Sequence, residues 1–392
     1  MAAEPSICFV NTGPAMPGFF AAGAPAQVGG VELQLYHISR ELQARDWAVS
    51  FVLGDYGQQT PACTPEGIRL IVGHAPHAHD GLRSFLRQGL RPLWRALDAA
   101  DSAIYFQHGV GALTGLLAFY ARRRGAQFAF AAACNADLLC RLPGASRLPR
   151  SQRWTAAYGL RHADLLLAQS EEQQEIVATH WGRLAPLMRN VWPGPYGVAD
   201  EEQDQVVLWV GGMRPVKRPE LALELAQRLP ELQFTIVGGP SGRHDELFAR
   251  IKAQGEAMSN VRIEGFVPFG EVDRHFREAA VLLNTSAVEG FPNAFLHAWG
   301  RHKPVVSMVD PNHLLREREF GRCGPNLEEL AAALRELCAD RAQRRRIGAA
   351  AAEYVQQHHA PSAVMAALET ELLRLGGSAR GSLTAEQSTH DE

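Results

Sequence analysis

Arg214 and Lys217 stand three residues apart in Val210-Gly-Gly-Met-Arg-Pro-Val-Lys-Arg218, after the apolar stretch 206–210 and before Pro219. Two cations just past a strand end can clamp a diphosphate and stabilise the charge that develops as it leaves. An isolated R-x-x-K is more often a pair of surface cations. Here it lies between a strand-ending Gly-Gly and a proline-initiated helix. A second stretch, 282–307, carries the other chemistry. Apolar residues 280–283 lead through Asn284, Thr285 and Ser286 to Glu289, and Gly290-Phe-Pro-Asn293 makes a tight turn. Phe295, Leu296, Ala298 and Trp299 then follow on helical spacing until Gly300. A strand, a loop with a carboxylate and a helix N-terminus facing that loop make a site for polar or anionic ligands. Gly29 and Gly30 close a Gly/Pro/Ala-rich loop and open a helix expected over 31–44, where the backbone can approach a ligand closely. No G-x-G-x-x-G fingerprint accompanies them.

Other clusters carry less. His74, His77 and His79 beside Asp80 are close enough in sequence to hold a metal, but no helix or strand fixes them, and no metal site is expected. The cysteines Cys8, Cys63, Cys134, Cys140, Cys323 and Cys338 contain no C-x-x-C pair, so neither a zinc site nor a disulfide framework is indicated. Arg83, Arg87, Arg91 and Arg95 recur every fourth residue in a helix expected over 82–97. They read as a solvated face on a core-packing helix interrupted at Pro92, with peripheral contact to a membrane surface left open.

The elements that must position these residues come from the whole chain. Its 392 residues suit two domains of about 150–200 residues each. A hydrophobic fraction of 46% and a charged fraction of 21% are those of a soluble globular protein, and a net charge of −3 argues against a nucleic-acid binder. There is no secretory signal and no apolar run of the ~18–20 residues a spanning helix needs, so a cytoplasmic location is expected. Strands expected near 6–10, 49–53, 68–72, 103–106, 127–131 and 165–168 alternate with helices. The pattern restarts at 206–210 and continues at 234–237, 261–264, 280–283 and 304–307. Such alternation means βαβ units and parallel sheets. The expected division is a first domain over 1–197, a linker over 198–204 and a second domain over 205–358. A terminal helix over 359–375 should pack back on the first domain, ahead of a disordered tail over 376–392. Two such sheets leave a cleft between their carboxyl ends.

Taken as a set, these motifs resemble the retaining glycosyltransferases of family four, which have the GT-B fold. Gly29-Gly-Val-Glu32 is similar to that family's N-terminal glycine loop, and 211–217 to its diphosphate-binding motif. Val237-Gly-Gly-Pro240 is similar to the following strand turn, 260–268 to the segment near the nucleotide base, and 284–307 to the E-x7-E region. The similarity is good over 205–360 and looser before it. The resemblance implies an α/β fold of two Rossmann-like doubly wound domains facing each other across a cleft. It further implies retaining transfer of a sugar from a UDP- or GDP-sugar to a glycan, lipid-linked or small-molecule acceptor, without a metal ion or other cofactor.

In that scheme the catalytic group is Glu289, Arg214 and Lys217. Glu289 would hold donor hydroxyls beside the backbone of Gly290, Phe291, Pro292 and Asn293. Arg214 and Lys217 would neutralise the leaving diphosphate. Gly29, Gly30, Gly212, Gly238, Phe266 and Val267 would complete the donor site. The second carboxylate of E-x7-E is replaced by His297, whose imidazole can hydrogen-bond a ribose hydroxyl. Cys134 and Asn135 stand where the family commonly has a histidine near the reacting sugar, with His108 as a substitute, which places His108 and Asn135 on the acceptor side. Those two departures suggest the alternative of a catalytically silent sugar-nucleotide-binding or scaffold subunit. A nucleotide-sugar epimerase shares the fold but fits the glycine loop and 289–293 less well.

Overall fold

The structure, a computed structural model, describes residues 4–21, 29–74, 89–142, 144, 148–198, 201–240 and 244–387. The chain divides into two units, Met1–Val191 with Pro361–Glu392, and Trp192–Ala360. In the first, β1 (Ser6–Asn11), β2 (Ala48–Leu53), β3 (Arg69–Val72), β4 (Ile104–His108), β5 (Gln127–Ala131) and β6 (Leu165–Leu167) form one sheet. Its order is β3-β2-β1-β4-β5-β6, and every neighbouring pair is parallel. The strands are nearly continuous apolar runs because both faces are covered. Phe9 stacks on Phe51 at 5.1 Å between ring centroids on one face, while Cys8, Val10, Tyr105 and Phe130 fill the other. The helix Pro361–Gln387 belongs to this unit: Val364, Met365, Leu368 and Leu372 enter its core, and Glu369 accepts a 2.9 Å hydrogen bond from Trp47 Nε1.

The second unit repeats the plan. Its strands are β7 (Val206–Val210), β8 (Gln233–Val237), β9 (Val261–Gly265), β10 (Val281–Asn284), β11 (Val305–Ser307) and β12 (Gly321–Cys323). They run in the order β12-β11-β10-β7-β8-β9. Counted outward from the first strand of each unit, the two orders are identical. Each sheet therefore has one place where its connections diverge, between β1 and β4 and between β7 and β10. In open parallel sheets the crevice at such a switch point is where ligands bind.

Several expectations need correction. The acidic stretch 198–204, expected to be a solvated linker, lies within the second unit, and its residues from 201 onward are tied to it. The Glu202 side chain is only 7% exposed, accepts from Lys303 Nζ at 2.7 Å and from Arg344 Nη2 at 2.8 Å, and Arg344 also pairs with Asp204. Burial alone would raise the Glu202 pKa, but the two cations outweigh it and hold it below the ordinary carboxylate range. Pro92 sits in the first turn of the α-helix Arg91–Ala100, directly after a π turn at 89–90, so the regular α-helix begins beside the proline, where its missing N–H costs nothing. Residues 82–88 of the expected basic helix, with Arg83 and Arg87, lie outside the described residues, as do His77, His79 and Asp80. The backbone is helical through Gln387, beyond the expected tail start at 376, since a helix nucleated on packed residues adds one hydrogen bond for each further residue fixed.

Among the elements not anticipated, which include the short helices Asn135–Leu138 and Leu314–Glu317, two are instructive. Strand β12 has only three residues and no apolar run, so it is defined by pairing with β11 alone. The helix Arg150–His162 buries Ala156 and Leu160 in the core and also approaches its neighbour through backbone. A Cβ on Gly159 would sit 2.5 Å from the Thr114 carbonyl oxygen, and one on Gly115 would sit 2.2 Å from that of Thr155. Gly159→Ala should therefore push this helix off Thr114–Arg124 and destabilise by about 1–3 kcal/mol, read as a lower denaturant midpoint. Arg344→Met should cost more, about 3–5 kcal/mol, because it leaves Glu202 buried with one partner fewer; an unchanged midpoint would show that the network contributes nothing.

Candidate functional site

The β7–β10 switch point is built by two loops that lock onto each other. After β7, the chain passes Gly211, Gly212, Met213 and the exposed Arg214 into a single 3₁₀ turn, Pro215–Lys217. Arg218 then takes a left-handed conformation, φ 47°, before the helix Pro219–Arg228. After β10, Asn284, Thr285 and Ser286 are buried although polar. Their groups are satisfied locally: Ser286 N donates to Asn284 Oδ1 at 2.9 Å. Thr285 Oγ1 accepts from Trp209 Nε1 at 2.9 Å and lies 2.8 Å from the Lys217 carbonyl. The Arg218 guanidinium reaches back to the Thr285 carbonyl at 2.8 Å and the Ser286 carbonyl at 3.1 Å, and Ala287 N donates to Val216 O at 2.9 Å.

This stitching brings Lys217 Nζ into an ion pair with Glu289 Oε1. Their side chains are only 18% and 12% exposed, so each loses much of its hydration and depends on the other for compensation. Just beyond Glu289, the helix Asn293–Gly300 opens at Pro292 with no side-chain cap, so its N-terminal partial positive charge lies on the same loop as the carboxylate. Phe291 and Pro292 are buried beneath that turn, whereas Gly290 and Asn293 are half-buried. A cation and a carboxylate a few ångströms apart, with a second cation on the adjoining loop, can bind a polar ligand that is anionic at one end and rich in hydroxyls at the other.

The remaining expected donor residues are placed differently. A Cβ on Gly238 would lie 2.0 Å from the Gly211 carbonyl oxygen, and one on Gly239 would lie 2.6 Å from the Phe266 Cβ. These glycines let the β7, β8 and β9 loops approach one another, which accounts for them without any ligand. Phe266 is exposed at the end of β9, with Val267 half-buried beside it. His297 points inward. Its imidazole is 5% exposed, stacks on Phe276 at 3.8 Å between centroids, touches Trp192, and lies 2.8 Å from Asp273 Oδ1. Arg301 Nε donates to the same Asp273 oxygen at 2.8 Å. Burial alone would raise the Asp273 pKa, but the hydrogen bonds from His297 and Arg301 hold it far below the carboxylate range. Burial also pulls His297 below its ordinary value against the attraction of Asp273. Arg301 carries a permanent charge, so Asp273 is ionised and His297 neutral at pH 7. A ribose contact from His297 would require it to leave all of these partners.

In the first unit, Gly29 caps the helix Gly30–Gln43, and Glu32 folds over that end: a Cβ on Gly29 would meet Glu32 Oε2 at 1.9 Å. His108 ends β4 at the β1–β4 switch point. It is 6% exposed, neither ring nitrogen makes a hydrogen bond of ordinary geometry, and burial lowers its pKa to about 4. Asn135 opens the short helix Asn135–Leu138, whose Asp137 Oδ2 accepts from Ala133 N at 2.8 Å. Sequence reasoning missed Arg218 and Thr285, which set the geometry of the Lys217–Glu289 pair. The signal available was the polar trio 284–286 directly after an apolar strand. Among the described residues no group of three or more His, Cys, Asp or Glu side chains gathers as a metal site, all six cysteines are free thiols, and no helix is long and apolar enough to cross a membrane.

Comparison with known proteins bears on both units. Residues 204–340 match the family model described as glycosyl transferases group 1, and residues 29–194 match that described as glycosyl transferase 4-like domain. A D-inositol 3-phosphate glycosyltransferase of Kribbella flavida is 26% identical over 223 residues, covering 50% of this chain and 53% of the relative. One from Geodermatophilus obscurus is 27% identical over 172 residues, covering 37% and 38%. The chain thus spans about half or less of the curated relatives it matches. Among solved structures, sucrose-phosphate synthase from Thermosynechococcus elongatus superposes with a TM-score of 0.76 at 18% identity, over 97% of this chain and 100% of that one. Anabaena HepE, solved in complex with UDP and glucose, gives a TM-score of 0.65 at 14% identity over the same shares. With a glycosyltransferase model on each unit, and solved structures that share the two-sheet architecture along nearly its whole length, the chain belongs to the GT4-type glycosyltransferases, enzymes of the GT-B fold.

Proposed function

We propose that this chain is a retaining glycosyltransferase that moves a sugar from a UDP- or GDP-sugar to a glycan, lipid-linked or small-molecule acceptor. The observation that carries this reading is the Lys217–Glu289 pair at the β7–β10 switch point, with Arg214 on the adjoining loop. The relatives add support: two are named as glycosyltransferases acting on an inositol phosphate, and a structural neighbour was solved with UDP and glucose. In this scheme Glu289 accepts hydrogen bonds from donor hydroxyls. Lys217 and Arg214 offset the charge that grows on the diphosphate as the glycosidic bond breaks. The acceptor hydroxyl then attacks on the face the diphosphate leaves, a step that needs positioning and charge stabilisation. The two cations supply that stabilisation, so the scheme calls for no metal ion. His108, neutral at pH 7 with unspent hydrogen-bonding capacity, and Asn135 are the polar groups of the first unit assigned to the acceptor side. His297 supports the helix Asn293–Gly300 from beneath and takes no part in donor contact. A cytoplasmic enzyme fits this chemistry, since nucleotide-sugars would be its donors.

The inward-facing His297 favours one second reading, a subunit that binds a sugar-nucleotide and does not transfer it. Transfer or donor hydrolysis by the purified protein, assayed against a panel of UDP-, GDP- and ADP-sugars, separates the two. At least one UDP- or GDP-sugar should raise the apparent melting temperature, because a ligand that binds only the folded state stabilises it. Lys217→Ala and Arg214→Ala should each lower turnover on the order of 10²–10³-fold; unchanged binding and turnover in both would remove the diphosphate assignment. His297→Gln should lower stability while leaving donor base preference as it was, and a shift in that preference would place His297 in the ribose pocket after all.

The histidines also predict a pH dependence. The unfolded chain binds protons at His108 below pH ~6.5, whereas the native state does not until about pH 4. Acidification through that window therefore favours unfolding, by up to about 1.4 kcal/mol per pH unit from this group. His297, also lowered, acts in the same direction, and loss of the depressed Asp273 carboxylate adds to it below pH ~4. Melting curves of wild type and His108→Gln should converge as pH falls from 7 toward 4. Parallel curves would mean that His108 titrates normally in the folded protein.

A further inference from the structure

Although the chain as a whole carries a charge of −3, residues 111–163 contain eight arginines and a single acid, Asp137. That one acid is buried. No carboxylate of this stretch is therefore available at the surface to offset the arginines. The same region is unusually apolar where it meets solvent. Among the described residues, four of the ten exposed large hydrophobic side chains, Phe119, Leu142, Trp154 and Tyr158, fall in this stretch, and a fifth, Leu184, follows it in sequence.

The helix Arg150–His162 concentrates both features. Arg150, Trp154, Tyr158 and Arg161 recur at intervals of four, four and three residues and are all exposed, so they form one stripe along one face. At 1.5 Å per residue the stripe runs for about 16 Å. Trp154 is 78% exposed and Tyr158 38%, with a guanidinium at either end. Leu184, 91% exposed, follows Arg183, whose guanidinium donates to the carbonyls of Leu160 and Asp164, so it extends the apolar surface at the helix C-terminus. The opposite face is held rigidly, through the backbone contact of Gly159 with Thr114 and of Gly115 with Thr155. The neighbouring helix Thr114–Arg124 ends in three exposed arginines; Arg124 is paired with Asp98 at 3.6 Å, while Arg122 and Arg123 stand beside no acid of their own helix.

We propose that this face of the first unit docks on an anionic lipid bilayer, with Trp154 and Tyr158 at the headgroup boundary and the surrounding arginines on lipid phosphates. Amphipathic aromatic rings settle at that boundary, and basic residues near an anionic leaflet each add to binding. Isolated exposed apolar residues need no explanation, but an aromatic stripe bracketed by cations, on a helix that itself carries no acid, matches a surface that is negative and greasy at once. A nucleic acid would satisfy the arginines yet leave Leu142 and Leu184 in water. The proposal is independent of the donor site, and its test reads binding rather than turnover.

The test is co-sedimentation of the full chain with vesicles of phosphatidylglycerol mixed with phosphatidylcholine, against vesicles of phosphatidylcholine alone. The wild type should partition onto the anionic vesicles at low salt, release at high salt, and bind pure phosphatidylcholine weakly. Trp154→Ser combined with Tyr158→Ser, and separately Arg150→Glu combined with Arg161→Glu, should each weaken partitioning on the order of tenfold while keeping the wild-type melting temperature. The second pair changes no buried side chain, so it still decides the matter if the first is poorly folded. Absence of vesicle binding by the wild type, equal binding by both double variants, or binding through these residues to a single-stranded oligonucleotide in place of vesicles would each overturn the proposal.

Discussion

A half-buried ammonium and a half-buried carboxylate depend on each other at the centre of the second unit. Lys217 and Glu289 have each given up much of their water, and neither is stable in that position without its partner. Their meeting is not a property of either loop alone. It follows from the Thr285 hydroxyl, which contacts Trp209 and the Lys217 carbonyl, and from Arg218, which holds the carbonyls of Thr285 and Ser286. Every one of these bonds joins the end of β7 to the end of β10. The topology places those two strands side by side, and the polar trio after β10 turns that adjacency into a fixed geometry.

The same economy of backbone runs through the rest of the unit. Gly238 and Gly239 stand where side chains would strike Gly211 and Phe266, so the loops around the switch point close to van der Waals distance. On the inward face of the helix Asn293–Gly300, buried His297 meets the half-buried Asp273, which Arg301 also holds, and Arg301 reaches the Tyr196 carbonyl at 3.1 Å. Those contacts anchor the helix that follows Glu289, while the Thr285–Arg218 contacts tie the loop before it to the end of β7. At the unit's start, Glu202 and Asp204 are gathered by Lys303 and Arg344, so an acidic stretch that looks like a spacer serves as an anchor.

Electrostatics acts on two scales in this protein. Net charge is small and negative, yet its distribution is uneven. Cations concentrate at the β7 loop, where a diphosphate would use them, and across the helices of residues 111–163, where eight arginines far outnumber the neighbouring acids Asp98 and Asp164. Neither concentration is visible in the total. Both become meaningful only where burial or the fold sets them against a defined neighbour.

Period and punctuation in the sequence were enough to determine the alternation of strand and helix, the parallel sheets, and the two candidate loops around Arg214, Lys217 and Glu289. Apolar runs bounded by glycine and proline leave a parallel strand few alternatives. Elements that lack such a signal were not legible. Strand β12 exists only because β11 offers it an edge, and Arg150–His162 is held by two buried residues, Ala156 and Leu160, and by a close backbone approach at Gly159, too sparse a pattern to mark a helix in the sequence. In the same way, sequence spacing put His297 eight residues after Glu289 and suggested a shared ligand. Only the tertiary structure decided that its ring turns inward to Asp273, because a helix spacing of eight leaves open which side of the helix meets the core. The pairing of Lys217 with Glu289, 72 residues apart in the chain, was likewise settled by strand order, since no local preference can specify which loops meet across a sheet.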